Sequence, residues 1–471
     1  MDTLSKGHPG GTRVAHVMDS IRQRIAARQL VPGARLPSIR GYAAATQVSK
    51  STVVDAYDRL AAEGVIRSRP GAGFYVAGHL APLALAEIEP RLERSVDPLW
   101  VSRQSLEASD DILKPGCGWL PSSWLPQEAL RRALRTVARA GDATLAEYAS
   151  PLGSAALRQL LARRIAQRGI SASADQILIT DSGTHAIDLL CRFLIEPNDV
   201  VLVDDPCYFN FQALLRAHRA RIISVPYTAN GPDVNLFAKA LAEHHPRLYI
   251  TNSGVHNPTG ATLTPVIAHR LLKLIEAHDV HVIEDDIFAD FEHEPAARLA
   301  SFDGLNRVVQ IGSFSKTLSA SIRCGYIVAR PDWIEGLVDL RIATAFSGSR
   351  VAQEVALAIL KDGSYRRHID TLRARLSNAM QETTDRLATT GITPWLPSAM
   401  PRAGMFLWCR LPSGLDATAL AGQALLQGII LAPGNVFSPS QSAGEFMRFN
   451  VTQMSDPNIF RVLAQATRGV R

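Results

Sequence analysis

Two hydrophobic rhythms divide the chain. Over residues 14–60 the apolar positions recur every three or four residues. Val17, Ile21 and Ile25 line one side of "VAHVMDSIRQRIAARQ" (14–29), with arginines between them, the spacing of an amphipathic helix. Pro32 and Gly33 interrupt it. A second short helix is expected over "SIRGYAAATQ" (38–47), capped by Ser38. "VSKSTVVDAYDRLAAEG" (48–64) predicts a third, with Ser49 or Ser51 as cap, Val53, Ala56, Tyr57 and Leu60 as buried face, and Gly64 as stop. "VIRSRPGAGFYVAG" (65–78) then predicts two short strands turning at Pro70–Gly73. Three helices and a glycine-tipped hairpin make a winged helix-turn-helix.

From about residue 113 short apolar runs alternate with helical ones. The strand-like runs are "QILIT" (176–180), "VVLVD" (200–204), "RIISV" (221–225), "RLYIT" (247–251), "VHVIED" (280–285), "RVVQIGS" (307–313) and "CGYIVA" (324–329). Amphipathic stretches such as 185–195 and 266–279 lie between them. The alternation predicts an α/β domain with a mainly parallel sheet covered on both faces. Ligands then bind beyond the carboxyl ends of the strands. Residues 79–112 mix prolines, acids and apolar positions and read as a linker, held partly on the body by Leu99, Trp100 and Val101. The expected organisation is a DNA-binding domain over 12–78, a linker over 79–112 and an α/β domain over 113–471.

Charge sharpens the first half of this picture. The chain carries a net +6, and residues 1–80 hold eleven Lys/Arg against five Asp/Glu. The other 39 basic residues cancel the other 39 acidic ones. All the excess positive charge therefore sits on the helical module, which points to nucleic acid. The small polar and basic start of the third helix can reach base edges, while Arg35 and Arg40 can hold phosphates. Five scattered cysteines without CxxC spacing argue for free thiols in a reducing, cytoplasmic setting, and against a disulfide frame or zinc site. With no apolar run near 18 residues, no membrane span is expected.

The polar residues that follow the strand runs are the candidates for chemistry. Ser182-Gly183-Thr184 open a helix and can offer N–H groups to an anion. Tyr208 follows the second run, Asn257 lies in the turn-rich "SGVHNPTGATL" (253–263), and adjacent Asp285 and Asp286 end a buried strand. "IGSFSKTLSASIRCGYIVA" (311–329) sets Lys316 among Ser313, Ser315 and Arg323. A lysine nucleophile, an anion cradle, a stacking ring and a buried acid together describe a pyridoxal 5'-phosphate pocket.

Specific words now name families. "LVPGARLPSIRGYAAATQVSKSTVVDAYDRLAAEGVIRSRPGAGFYV" (30–76) resembles the GntR-type winged helix. That resemblance implies double-stranded DNA contacts from Arg35, Arg40, Ser49, Lys50, Ser51, Thr52 and the wing around Gly71. Y-x-x-P-x-G-x-x-x-L-R (148–158), HNPTG (256–260), S-x-S-K with R-x-G-Y (313–326) and MRFN (447–450) resemble class I, fold type I aminotransferases. This second resemblance implies Lys316 as the Schiff-base lysine and Asp285 at the pyridine nitrogen, with Asp286 the alternative. Asn257 would bond the phenolic oxygen and Tyr208 would stack on the ring. Gly183, Thr184, Ser313, Ser315 and Arg323 would hold the phosphate, Arg448 an amino-acid carboxylate, and Tyr148 the phosphate of the other subunit of a homodimer.

Together the two halves resemble the MocR subgroup of GntR regulators. The implied function is a transcription regulator that senses pyridoxal phosphate or a small amino-compound effector at Lys316. The alternative is a working aminotransferase with an accessory N-terminal domain. One departure bears on the choice. Relatives usually carry a tyrosine two or three residues after the aspartate, where this chain has Ile287, Phe288 and Ala289. Any transaminase turnover is accordingly expected to be weak.

Overall fold

The computed structural model describes residues 12–26, 30, 33–69, 73–77, 99–109, 111–396 and 403–468. They belong to two compact units, residues 1–94 and 95–471.

The smaller unit contains α1 (Arg13–Ala26), α2 (Ile39–Thr46), α3 (Lys50–Ala62) and an antiparallel hairpin, β1 (Ile66–Arg69) with β2 (Gly73–Val76). Both serine caps form: Ser38 Oγ accepts the Gly41 N–H, and Ser49 rather than Ser51 accepts the Thr52 N–H, each at 3.1 Å. A cap of this kind contributes about 1 kcal/mol. Ile21, Val53, Ala56, Tyr57 and Leu60 are fully buried, so the helical rhythm of the sequence is the rhythm of the core. The Tyr57 hydroxyl leaves that core to donate to the Pro37 carbonyl at 3.0 Å, tying α3 to the start of α2. Gly71 and the rest of the wing tip lie outside the described residues.

The larger unit is built on an eight-stranded sheet. Its strands are β3 (Ile177–Thr180), β4 (Val200–Asp205), β5 (Arg221–Thr228), β6 (Gly231–Pro232), β7 (Leu248–Thr251), β8 (His281–Asp285), β9 (Val308–Ser313) and β10 (Gly325–Val328), in the order β3-β10-β9-β8-β7-β4-β5-β6. Every apolar run named from the sequence is one of these strands. The run from β9 through β8, β7 and β4 to β5 is parallel; β10 and the short edge strand β6 are antiparallel. β3, β4, β7 and β8 are almost wholly buried, the composition of a sheet covered on both faces.

Register sets the site. Asp285 pairs with Ile311, and Gly325 pairs with both Ser313 and Thr180. The carboxyl ends of β3, β8 and β9 thus lie side by side. A Cβ on Gly325 would come within 2.6 Å of the Ser182 backbone, so only glycine lets β10 pass the start of the helix Gly183–Leu194.

The long helix Gly363–Ala388 leads into a second, antiparallel sheet that the strand-like runs did not include. It contains β11 (Thr393–Pro394), β12 (Phe406–Arg410), β13 (Ala432–Pro433) and β14 (Phe446–Asn450), ordered β11-β12-β14-β13. Within the expected linker, residues 78–98 and 110 lie outside the described residues. Trp100–Glu107 form a helix, and Val101 is buried in a cluster with Phe209, Trp408 and Phe437.

Candidate functional site

Lys316 sits in the turn that follows β9. Its Nζ donates to the Gly118 carbonyl at 2.6 Å. Burial, with the cations Arg448 and Arg323 nearby, pulls the ammonium down to about 8; Cys117 and Asp285 oppose that shift. A lysine in this range has a substantial neutral, nucleophilic fraction at neutral pH.

The two adjacent aspartates have different surroundings. Asp286 is saturated. Arg298 grips it with two bonds of 2.9 and 3.0 Å, and Gln310 donates at 2.8 Å. Asp285 is equally buried, but its carboxylate, facing the Ile287 N–H at 3.2 Å and the Asn252 amide, forms no salt bridge among the described residues. Desolvation pushes it up to about 7, with Asp286 adding to the rise and Lys316 opposing it. An underpartnered buried carboxylate calls for a proton or a cation, and Asp285 is the one of the pair able to accept either.

Arg448, on β14, is fully buried. Its guanidinium lies 4.0 Å from the Phe406 ring centroid and 4.6 Å from that of Phe437. It donates to Asn257 Oδ1 at 3.0 Å and to the Gly116 carbonyl at 2.8 Å, while its Nε is buried without a partner. Desolvation lowers it to about 10. A buried cation with donors to spare is built to receive an anion.

Sequence reasoning missed the strap that closes this corner, residues 114–119. Its carbonyls at Gly116 and Gly118 take the Arg448 and Lys316 bonds, and those of Cys117 and Trp119 accept from Asn450 at 3.1 and 2.8 Å. A Cβ on Gly116 would meet the Leu431 backbone at 2.5 Å, so glycine is what allows the strap to lie against the second sheet. The glycines of "KPGCGW" were the available signal.

The remaining candidates occupy two places. Gly183 and Thr184 begin the helix Gly183–Leu194, capped by Ser182. A Cβ on Gly183 would be 3.5 Å from that of Ser313, and the Ser313 and Ser315 hydroxyls lie 3.0 Å apart, so the helix start and these serines share one concave edge. Arg323, exposed and at φ +52°, stands at the rim. Tyr208 caps the helix Phe209–Ala217; burial and then Asp285 push its hydroxyl up to about 12, while Arg448 opposes them. Ile287 and Phe288 supply no hydroxyl here. Ile287 lies against Gly183, and Phe288 packs edge-on to Phe406. Tyr148 stands apart from this pocket. It is 79% exposed and stacks on Phe346, itself 64% exposed.

In the smaller unit Arg35, Arg40, Lys50 and Ser51 are exposed, and Thr52 is partly so. Ser49 Oγ is engaged by its cap and lies 2.7 Å from the Thr52 hydroxyl. Arg35 approaches Gly73 at the base of the wing. The hairpin also exposes Arg67 and Arg69, the latter opening the R-P-G-x-G-F-Y-V wing motif.

Comparison with known proteins assigns both units. Residues 119–465 match the family model "Aminotransferase class I and II", and residues 13–76 match "Bacterial regulatory proteins, gntR family". The uncharacterized HTH-type transcriptional regulator YdcR of Escherichia coli K12 is 31% identical over 92% of this chain and 93% of its own. The HTH-type transcriptional regulator NorG of Staphylococcus aureus USA300 is 27% identical over 91% and 98%. Among solved structures, Pyrococcus horikoshii kynurenine aminotransferase superposes with a TM-score of 0.72 at 24% identity, covering 80% of this chain and 96% of that one. LysN, the α-aminoadipate aminotransferase of Thermus thermophilus, complexed with N-(5'-phosphopyridoxyl)-L-leucine, gives 0.70 at 25%, covering 81% and 96%.

Proposed function

Because the chain belongs to the aminotransferase class I and II family and carries a gntR-family module before it, the composition of MocR-type regulators, we propose that it is a DNA-binding transcription regulator using pyridoxal 5'-phosphate. Its larger unit responds to that cofactor or to a small amino compound bearing a carboxylate. The observation that carries the reading is one molecule holding both a basic winged helix and a pocket with a depressed lysine, a buried aspartate without a salt bridge and a buried arginine with an unpartnered Nε.

Pyridoxal phosphate supplies an electrophilic aldehyde for amines and a basic ring nitrogen. Lys316, partly neutral, is the amine for the aldehyde. Asp285 would hold a proton on the ring nitrogen, gaining the cation it otherwise lacks. The N–H groups at Gly183 and Thr184, the hydroxyls of Ser313 and Ser315, and Arg323 hold the phosphate. Tyr208 covers the ring and Asn257 bonds its phenolic oxygen. Arg448 takes the effector carboxylate, two flanking rings keeping water away. Lys316 and an effector amine would both suit that aldehyde, so the turn after β9 would differ according to which of them holds the cofactor. That local change is the input a regulator needs to shift between two DNA affinities.

The exposed Tyr148–Phe346 pair fits a homodimer in which Tyr148 reaches the partner's phosphate. Arg35, Arg40 and Lys50 bind DNA phosphates; Ser49, Ser51, Thr52 and the wing at Gly71 set the module's register. A turnover enzyme is the second reading, favoured by the retained Lys316, Asp285 and Arg448. Ile287 opposes it, since no hydroxyl stands there to tune the cofactor's phenolic oxygen.

The test is a fluorescence-anisotropy titration of the full chain against DNA from upstream of its own gene, with and without the cofactor, at two salt concentrations. Salt-steep, sequence-specific binding that changes with cofactor is expected. Specific binding indifferent to cofactor and amino acids, with multiple-turnover transamination, would overturn the regulatory reading.

A further inference from the structure

Away from Lys316, a cavity of about 450 Å³ opens between residues 164–168, the turn Ala289–Phe291 and the first turns of the helix Gly363–Ala388. That is the size of a small-ligand pocket. Its walls are ionic rather than apolar: Arg164, Arg168, Arg366 and Arg373 face in from two segments. The acids do not balance them. Arg164 and Arg168 share a single carboxylate, Asp290, at 2.9 and 2.5 Å. Glu292 shares Arg298, which does not line the cavity, with Asp286. Asp370 is 3.6 Å from Arg373. Arg366, exposed at the mouth, has no ion pair among the described residues. One positive charge remains uncompensated, and two of the guanidiniums, Arg164 and Arg168, have side chains only 24% and 14% exposed. Structural ion pairs neutralise one another; a surplus of half-desolvated guanidiniums around a hollow is the arrangement that recognises a dianion.

We propose that this cavity is a second ligand site, for a phosphate dianion, free or carried as the monoester of a small metabolite. Its position gives it a route to the cofactor pocket. Tyr365, in the cavity wall, donates to Asp290 at 2.6 Å and, its proton thus committed, accepts from the Thr317 hydroxyl at 3.1 Å. His368, one turn on, lies 3.0 Å from the Thr317 carbonyl. Thr317, the neighbour of Lys316, is therefore held at two points by the helix that carries Arg366 and Arg373. Burial opposes ionisation of Asp290, but the guanidiniums of Arg164 and Arg168 and the bond from Tyr365 overcome it and hold the carboxylate below its ordinary range. A phosphate that draws Arg164 and Arg168 from Asp290 leaves Tyr365 as the main donor to that carboxylate, which tightens the Tyr365 bond and, through Thr317, shifts the turn bearing Lys316. The site stands apart from the reading of Lys316 as the cofactor lysine; only this relay rests on it.

Calorimetric titration of the full chain, saturated with pyridoxal phosphate so that its cradle is filled, against inorganic phosphate and against glycerol phosphate at fixed ionic strength tests the site. One ion per chain should bind. Arg366→Gln, a change at an exposed position, should weaken it by about 10- to 100-fold. A preference for the monoester identifies a metabolite as the ligand, and equal binding identifies the free ion. Thr317→Val, outside the cavity wall, should bind phosphate within about twofold of wild type, losing only the response of the cofactor's visible absorbance. No binding by the wild type, or Arg366→Gln binding as tightly, overturns the site. Binding without any change in cofactor absorbance overturns the relay alone. Absence of cofactor absorbance in every chain tells against Lys316 and leaves the site standing on the calorimetry.

Discussion

Asp285→Asn should make the cofactor-free protein more stable and its cofactor binding worse. Asp285 is 3% exposed, and its carboxyl is raised from an ordinary 3.8 to about 7, chiefly by desolvation. The folded state therefore holds this proton more tightly than the unfolded chain does. The penalty is absent below about pH 4, grows as pH rises, and levels off above pH 7. At 1.36 kcal/mol per decade it reaches about 4 kcal/mol at pH 8 and about 1.5 kcal/mol at pH 5. Asparagine keeps an oxygen for the Ile287 N–H and removes the charge. The cofactor-free variant should then gain several kcal/mol at pH 8, and about 2.5 kcal/mol less than that at pH 5. Glu284, raised to about 7 by its own burial, is present in both chains and drops out of the difference.

All six tryptophans lie at or beyond Trp100, so tryptophan fluorescence during urea unfolding reports the larger unit alone. The opposite sign is expected with cofactor present. A cation beside a carboxylate is worth one to three pKa decades, so losing Asp285 should weaken cofactor binding by about 10- to 1,000-fold. A stability gain that is the same at pH 5 and pH 8, or cofactor affinity unchanged in the variant, would refute the assignment of Asp285 as an unpaired acid awaiting the ring nitrogen.

Lys316→Ala should abolish the visible absorbance of covalently held cofactor; a retained band would place the bond on another lysine. Arg40→Ala should weaken binding to all DNA sequences and reduce the slope of log affinity against log salt by ~1, and an unchanged slope counts against a phosphate contact. Arg448→Ala should cost a carboxylate-bearing effector roughly 2–3 kcal/mol in a binding titration, while an amine lacking the carboxylate loses far less. Equal losses for the two would mean that the damage is the orphaning of Asn257 and Gly116, not a lost ligand contact.

Much of this architecture is local, and local structure is what a sequence displays. Ser38 and Ser49 cap the helices they precede because a cap needs only three residues of chain. Six of the seven strand runs are mostly buried, and they are legible because a sheet covered on both faces tolerates little but apolar residues; only the run in β5 is largely part-exposed. Asp285 and Asp286, by contrast, are adjacent and alike in sequence. What separates them is Arg298 and Gln310, 12 and 24 residues away, meeting on Asp286 alone. The second sheet escaped the strand reading because two of its strands are two residues long and its central Arg448 breaks the apolar run.

The strap at Gly116 was the least legible part, since its partner Arg448 lies 332 positions on. No periodicity spans that distance. It can be inferred only from demand: a guanidinium buried between two rings must find acceptors, and backbone carbonyls of a segment without side-chain bulk are what can reach it. The same reasoning ranks the candidate residues. Lys316, Asp285 and Arg448 each carry a desolvation cost that the fold itself does not fully offset. Groups left in that condition are explained by a ligand that satisfies all three together.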